Sequence, residues 1–99
     1  MIAEEIYNEA VTLHNKTNTA QSKTHIFKAY LKAAEMGLDL AMLRAGEMLY
    51  FGDGIEISKE QGLRWIRKAN QISEHYNDMA VQNPYTHKWI QAEEFLNAA

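Results

Sequence analysis

The sequence predicts an all-α protein built from two helix pairs and a closing C-terminal helix. Apolar residues recur at helical spacing over most of its 99 residues, and only five glycines and one proline interrupt that pattern. The chain also matches itself at an offset of 36 residues, which is typical of a helical repeat. A chain of this length suits one hydrophobic core, so we expect a single domain over residues 1–99.

The first predicted helix pair covers residues 2–37. Apolar side chains of its first helix recur at spacings of four, four and three, along Ile2, Ile6, Ala10 and Leu13. The polar stretch 16–21 predicts a loop, and Ser22 is expected to cap the second helix. Gly37 is placed to end that helix, because glycine is favoured just after a helix C-terminus.

The second predicted pair covers residues 38–73. Its first helix, from about Asp39 to Phe51, is apolar around most of its circumference, so we place it at the centre of the domain. Glycines on both sides of Asp53 predict a turn after it. Ser58 is expected to cap a fourth helix that carries Leu63, Trp65, Ile66, Ala69 and Ile72.

The remaining segment, 74–99, is predicted to close the end of the array. Residues 73–83 fit either a continuation of the fourth helix or a loop. Pro84, preceded by Asn83 as N-cap, predicts the start of a final helix. That helix would carry one apolar stripe, Tyr85, Trp89, Ala92 and Leu96. We expect both tryptophans to be buried in the core.

The offset of 36 residues aligns positions that have the same role. Lys32-Ala33 aligns with Lys68-Ala69, and Ser22-Lys23 aligns with Ser58-Lys59. Ala10 aligns with Gly46, so a small residue recurs where two helices would approach closely. We therefore predict a close helix contact at Gly46.

Motifs of the second pair resemble the Sel-one-like repeat (SLR) family, a relative of the tetratricopeptide repeat (TPR). The resemblance rests on Ala41-x-x-x-Ala45-Gly46-x-x-Leu49-x-x-Gly52-x-Gly54-Ile55 followed by Gly62-x-x-Trp65-x-x-Lys68-Ala69. Leu49 stands where the family usually has tyrosine, and Gly62 and Asn70 stand where it usually has alanine. The resemblance implies a right-handed α-α helical repeat with a degenerate first repeat. It also implies a scaffold that binds other proteins without catalysis.

Composition excludes several functional classes. The chain has no cysteine, which removes disulfides, thiolate zinc sites and thiol catalysis. Its net charge of -3 argues against nucleic-acid binding, which usually needs a basic surface. No apolar run approaches the length of a membrane helix and the first residues do not form a secretory signal, so we expect a soluble, cytoplasmic protein with no membrane partner.

No pattern of catalytic or metal-binding residues is present in the sequence. The four histidines lack the i, i+4 pairing of a zinc-binding helix. Gly52-Asp53-Gly54 is followed neither by the lysine and hydroxyl of a phosphate loop nor by the acidic ligands of a calcium loop. We therefore expect a structural turn there, no cofactor and no enzymatic activity.

Two sets of residues are candidates for binding a partner protein. The first lies on the central helix, which lines the inner surface in the resembled family: Arg44, Glu47, Tyr50 and Phe51. If the C-terminal helix covers the two aromatic residues, the two charged ones are the better candidates for an open groove. The second is a basic stripe on the fourth helix, Arg64, Arg67 and Lys68, which would dock an acidic partner or is an ordinary solvated face.

The sequence therefore predicts a non-enzymatic protein-protein interaction module. Its size suggests an inhibitor or immunity-type protein that binds and blocks another protein. The alternative is a self-associating homodimer, because two repeats are fewer than the three or so that an independent array usually needs.

Overall fold

The computed structural model describes residues 1–17, 19–75 and 78–99, and this part of the chain is mostly helical. Four helices are followed by two short strands and a last helix: α1 (Ala3–Lys16), α2 (Ala20–Glu35), α3 (Asp39–Phe51), α4 (Lys59–Ile72), β1 (Ala80–Gln82), β2 (Trp89–Gln91) and α5 (Ala92–Ala98). The all-α prediction is right for most of the chain, but a small antiparallel sheet is added near the C-terminus.

Short polar side chains cap the N-termini of α2 and α4. The Ser22 N–H donates to Thr19 Oγ1 over 3.1 Å, so Thr19 caps α2 and the prediction that Ser22 does so is wrong. Part of the loop predicted before α2, residue 18, lies outside the described residues. Ser58 caps α4, as predicted, by accepting a hydrogen bond from the Gln61 N–H. The backbone turns out of α2 at Gly37, as predicted.

Helix α3 lies at the centre of the fold, as its apolar circumference predicts. Nine of its 13 residues are buried, and α2 and α4 pack against it. At Gly46 the backbones of α3 and α4 are in near contact. A Cβ atom added to Gly46 would lie 2.8 Å from the Gly62 carbonyl oxygen and 2.7 Å from Ile66 Cγ1, so only glycine fits without a shift.

The turn between α3 and α4 packs against the start of α2. Gly54 has φ of 85°, and a Cβ atom added there would lie 2.5 Å from Lys23 Cβ. Thr24 Oγ1 donates to the Gly54 carbonyl oxygen over 2.7 Å. The glycine turn therefore contacts the start of α2, 30 positions earlier in the chain, which gives it a structural role.

The C-terminal segment corrects the prediction of one long final helix. Residues 80–91 form an antiparallel β-hairpin in which Val81 pairs with Ile90, and α5 begins only at Ala92. Pro84 lies in the hairpin turn instead of in the first turn of a helix, and Trp89 is 56% exposed instead of buried. Val81 of β1 packs into the core.

The turn of the hairpin is held by the side chain of Asn83. Its Oδ1 accepts hydrogen bonds from the N–H groups of Tyr85 (2.8 Å) and Thr86 (3.2 Å). The segment 73–83, for which the sequence allowed a helix or a loop, leaves the helix after Ile72 and enters β1 at Ala80; residues 76 and 77 lie outside the described residues. Within the described ranges, no helix has the length and apolar character needed to cross a membrane.

Candidate functional site

A cleft of about 580 Å³ opens between α1, the start of α2, α3 and the hairpin. Its walls carry polar and aromatic side chains from all four elements, which include Tyr7, His14, Lys23, Arg44, Asp53 and Trp89. A volume of this size lies within the range of ligand-binding sites. We call this space the inner cleft and treat it as the candidate binding site.

Arg44 and Glu47 form a charged pair in the wall of the inner cleft. Arg44 Nη1 donates to Glu47 Oε1, and the other oxygen of Glu47 accepts the Gln82 N–H over 2.7 Å. Arg44 Nη1 also lies 3.4 Å from the Ala80 carbonyl oxygen. These side chains therefore occupy the outer edge of β1, where a third strand would otherwise pair.

Burial and mutual attraction act in opposite directions on the pKa values of this pair. Burial raises the pKa of Glu47, while Arg44 and the Gln82 N–H oppose that rise because they stabilise the carboxylate. Burial alone would lower the pKa of Arg44, but the attraction of Glu47 and the nearby Tyr7 outweigh it and the pKa is raised. Arg44 consequently stays a cation at any pH at which the protein is folded.

Trp89 lies at the edge of the inner cleft. The guanidinium carbon of Arg44 is 5.4 Å from the centroid of the indole, which is cation–π distance, and more than half of the residue remains exposed. The indole is thus a large, accessible aromatic surface fixed beside a cation. The sequence pattern missed this residue because its helical spacing with Ala92 suggested burial.

The floor of the inner cleft is polar and aromatic. The Tyr30 hydroxyl lies 3.4 Å from His14 Nδ1, and the rings of Tyr7 and Tyr30 are 5.6 Å apart between centroids. Burial raises the pKa of Tyr30 and lowers the pKa of His14. Both groups are therefore neutral near pH 7.

A second ion pair lies at the mouth of the cleft. Lys23 Nζ is 2.8 Å from Asp53 Oδ1, which joins the start of α2 to the turn after α3. His87, in the hairpin turn, also lines the cleft and has a left-handed backbone with φ of 62°. The left-handed conformation is strained for a residue other than glycine, at a cost of about 1 kcal/mol or more.

The two aromatic candidates on α3, Tyr50 and Phe51, are partly covered by α5. The ring centroid of Phe95 is 4.9 Å from that of Tyr50 and 6.1 Å from that of Phe51. The Tyr85 hydroxyl donates to the Phe51 carbonyl oxygen from the hairpin side. The structure therefore places Arg44 and Glu47 in the cleft wall, and the two aromatic residues outside the cleft.

The basic stripe on α4 is a separate, exposed surface. Arg64 pairs with Glu60 over 2.6 Å, and Lys68 Nζ lies 5.8 Å from the centroid of Trp65. Arg64, Arg67 and Lys68 are all exposed, and none lines the inner cleft. The two candidate sets predicted from the sequence therefore do not form one site.

Several cleft residues carry no signal in the sequence. Lys23 and Asp53 are 30 positions apart, and His14 meets Tyr30 only because α1 and α2 pack side by side.

In the described residues, no group of three or more histidine, aspartate or glutamate side chains could hold a metal ion. No protein-family model, curated protein or solved structure matches this chain.

Proposed function

We propose that this protein is a non-enzymatic interaction module that binds a segment of another protein in the inner cleft. The observation that carries the proposal is Trp89, a half-exposed tryptophan fixed over Arg44 at the edge of a concave surface. Tryptophan and arginine are enriched among the residues that dominate the free energy of protein binding. Their adjacency at the cleft supports a binding role for this surface.

The arrangement of helices is compatible with an SLR-like or TPR-like array. Helix α3 begins 36 residues after α1, which is the offset at which the sequence matches itself. Helices α1, α2, α3 and α4 pack in sequence order, each against the next. In such an array the concave surface is the usual binding surface, and the inner cleft lies on α1 and α3, the first helix of each pair.

A more specific form of the proposal is an inhibitor or immunity-type protein. The cleft is closed on one side by the hairpin, so it offers a short, compact contact surface and not a long groove. A module of this kind blocks its partner by occupying a functional segment of that partner. This form of the proposal rests on the shape and size of the surface.

Substitution of Trp89 tests the proposed function. The Trp89→Ala variant should lose the partner, because truncation of a tryptophan that dominates binding costs about 2 kcal/mol or more, which is roughly a 30-fold loss of affinity. The measurement is affinity capture from the native host, with the bound protein identified and its stoichiometry determined by mass spectrometry. Met36→Ala is the matched control, since Met36 is also an exposed apolar residue but does not line the cleft.

Retention of the partner by Met36→Ala and its loss by Trp89→Ala would support the proposal. Equal capture by all three proteins would show that the inner cleft is not the binding surface. Circular dichroism checks that both variants are folded. We expect the helices to remain intact in Trp89→Ala, because Trp89 is exposed and is not part of the buried core.

A further inference from the structure

In both ion pairs of the inner cleft, the basic side chain is more exposed to solvent than the acidic one. In the pair at the mouth, the side chain of Lys23 is 24% exposed and that of Asp53 is 12% exposed. In the wall, Arg44 is 19% exposed and Glu47 is 10% exposed. In both pairs the basic side chain is therefore more accessible than the acidic one.

The carboxylates of the cleft are also occupied by other contacts. Both oxygens of Glu47 already accept hydrogen bonds, one from Arg44 and one from the Gln82 N–H. Asp53 accepts from Lys23. A cationic ligand could therefore reach Glu47 only by breaking an existing contact, and it would have to compete with Lys23 for Asp53; both would cost free energy.

The other titratable side chains on the cleft wall are neutral or basic. Lys16, at the end of α1, is exposed and makes no ion pair within the described ranges. His14 and His87 also line the cleft, together with the hydroxyls of Tyr7 and Tyr30. The inner cleft is thus locally cationic, although the whole chain has a net charge of -3.

We propose that the segment held in the inner cleft is acidic: a short segment of the partner whose carboxylate side chains contact Arg44, Lys23 and Lys16. This inference rests on the proposed function and specifies the chemistry of the partner. Arginine and lysine form charge-assisted hydrogen bonds with carboxylates, which are stronger than neutral ones. Trp89 packs its exposed face against the apolar part of the bound chain, as aromatic residues do in peptide-binding surfaces.

The charge of this cleft reverses what the net charge of the chain suggests. An acidic chain would be expected to meet a basic partner faster, because long-range attraction steers association. In the cleft, the local cations are within contact distance of the ligand, whereas exposed charges more than about 10 Å away are screened at physiological salt. The local charges therefore decide which segment binds.

Three fluorescein-labelled decapeptides of alternating sequence test the proposal: Glu-Ser, Gln-Ser and Lys-Ser. Fluorescence anisotropy at low ionic strength measures their affinity for the full chain. The Glu-Ser peptide should bind about ten-fold or more tightly than the other two, which corresponds to about one additional charge-assisted contact. Equal affinity of the three peptides, or tighter binding of the Lys-Ser peptide, would overturn the proposal.

Charge-reversal variants locate the binding surface. Lys16→Glu should weaken binding of the Glu-Ser peptide about ten-fold, since it places a carboxylate at the mouth of the cleft. Lys28→Glu is the matched control, because it makes the same change of charge on an exposed residue of α2 that does not line the cleft. It should change the affinity for the Glu-Ser peptide by no more than about two-fold. Arg67→Glu tests the basic stripe of α4 in the same way.

Each outcome bears on the inference. Loss of affinity in Arg67→Glu but not in Lys16→Glu would place the acidic peptide on α4 and overturn it. If the Glu-Ser peptide binds no better than the others while Trp89→Ala still loses the natural partner, the acidic chemistry is wrong and the proposed function survives. If Trp89→Ala also retains the partner, the proposed function itself is wrong.

Discussion

Single residues fix how closely the helices of this fold approach one another. Gly46 was predictable, because the self-match of the sequence aligns it with Ala10 and both positions need a small side chain. Trp89 was not, because its three-residue spacing to Ala92 fits the buried face of a helix, whereas Trp89 lies in β2 and is exposed. A pattern of apolar residues therefore identifies which positions pack together, but it does not identify a large side chain that stays exposed.

Replacement of Gly46 by alanine should destabilise the fold. In an isolated helix this change would favour folding by up to about 1 kcal/mol. Here the new Cβ would lie 2.8 Å from the Gly62 carbonyl oxygen, a backbone atom that cannot move aside easily, so we expect a net loss of about 1–3 kcal/mol. The measurement is the free energy of unfolding in urea.

The exposed residue Gln71 of α4 provides the control for that experiment. Gln71→Ala introduces alanine into a helix without a new contact and should leave the free energy of unfolding within about 0.5 kcal/mol. A Gly46→Ala variant as stable as the native chain would mean that α3 and α4 are not in near contact at this position.

At the scale of elements, the four long helices follow from the sequence and the hairpin does not. Helical periodicity, caps and glycines located α1 to α4 to within a few residues, because these signals lie inside each segment. The hairpin depends on contacts from α3: Arg44 and Glu47 bond to β1 from 35 or 36 positions away. Strands of three residues have too little periodicity of their own to be recognised.

The contact between Glu47 and the hairpin can be tested by substitution. Glu47→Ala removes the acceptor of the Gln82 N–H and leaves the partly buried Arg44 without its carboxylate partner, so we expect a loss of about 1–3 kcal/mol in the free energy of unfolding. Glu47→Gln keeps a side-chain oxygen that can accept the Gln82 N–H, and it should cost less. Hydrogen exchange should show faster exchange of the Gln82 amide in Glu47→Ala.

An exposed carboxylate on α5 gives the matched control for the hairpin experiment. Glu93→Ala removes one negative charge beside the hairpin without breaking an ion pair among the described residues, and exchange of the Gln82 amide should not change. If Glu47→Ala left that amide as protected as in the native chain, the hairpin would be held by Val81 and the core alone.

For the whole molecule, burial in the inner cleft couples stability to pH. Burial is the main cause that lowers the pKa of His14 below its ordinary value of 6.5; Asp53 opposes the shift, and the cations Lys23 and Arg44 add to it. Between the two pKa values the unfolded chain binds more protons at His14 than the folded chain does. The free energy of unfolding therefore rises with pH through this window, and the contribution of His14 is lost as pH falls.

Glu47 contributes a dependence of the opposite sign. Burial raises the pKa of Glu47 above its ordinary value of 4.5, so the folded chain binds more protons at this site than the unfolded chain does. Its contribution to stability falls as pH rises above that value. The pH dependence of the free energy of unfolding of the native chain is the sum of the contributions of His14 and Glu47. A variant at one of these sites is needed to separate them.

The histidine variant should show a flatter dependence of stability on acidification. We expect the native chain to lose more of its free energy of unfolding than His14→Gln does between about pH 7 and pH 5, because glutamine does not titrate. Urea unfolding at several pH values measures this difference, with His25→Gln, an exposed histidine of α2, as the matched control. The prediction would be wrong if the free energy of unfolding of the native chain and of His14→Gln changed with pH in parallel while that of His25→Gln differed. His14 would then not be the histidine that makes stability depend on pH.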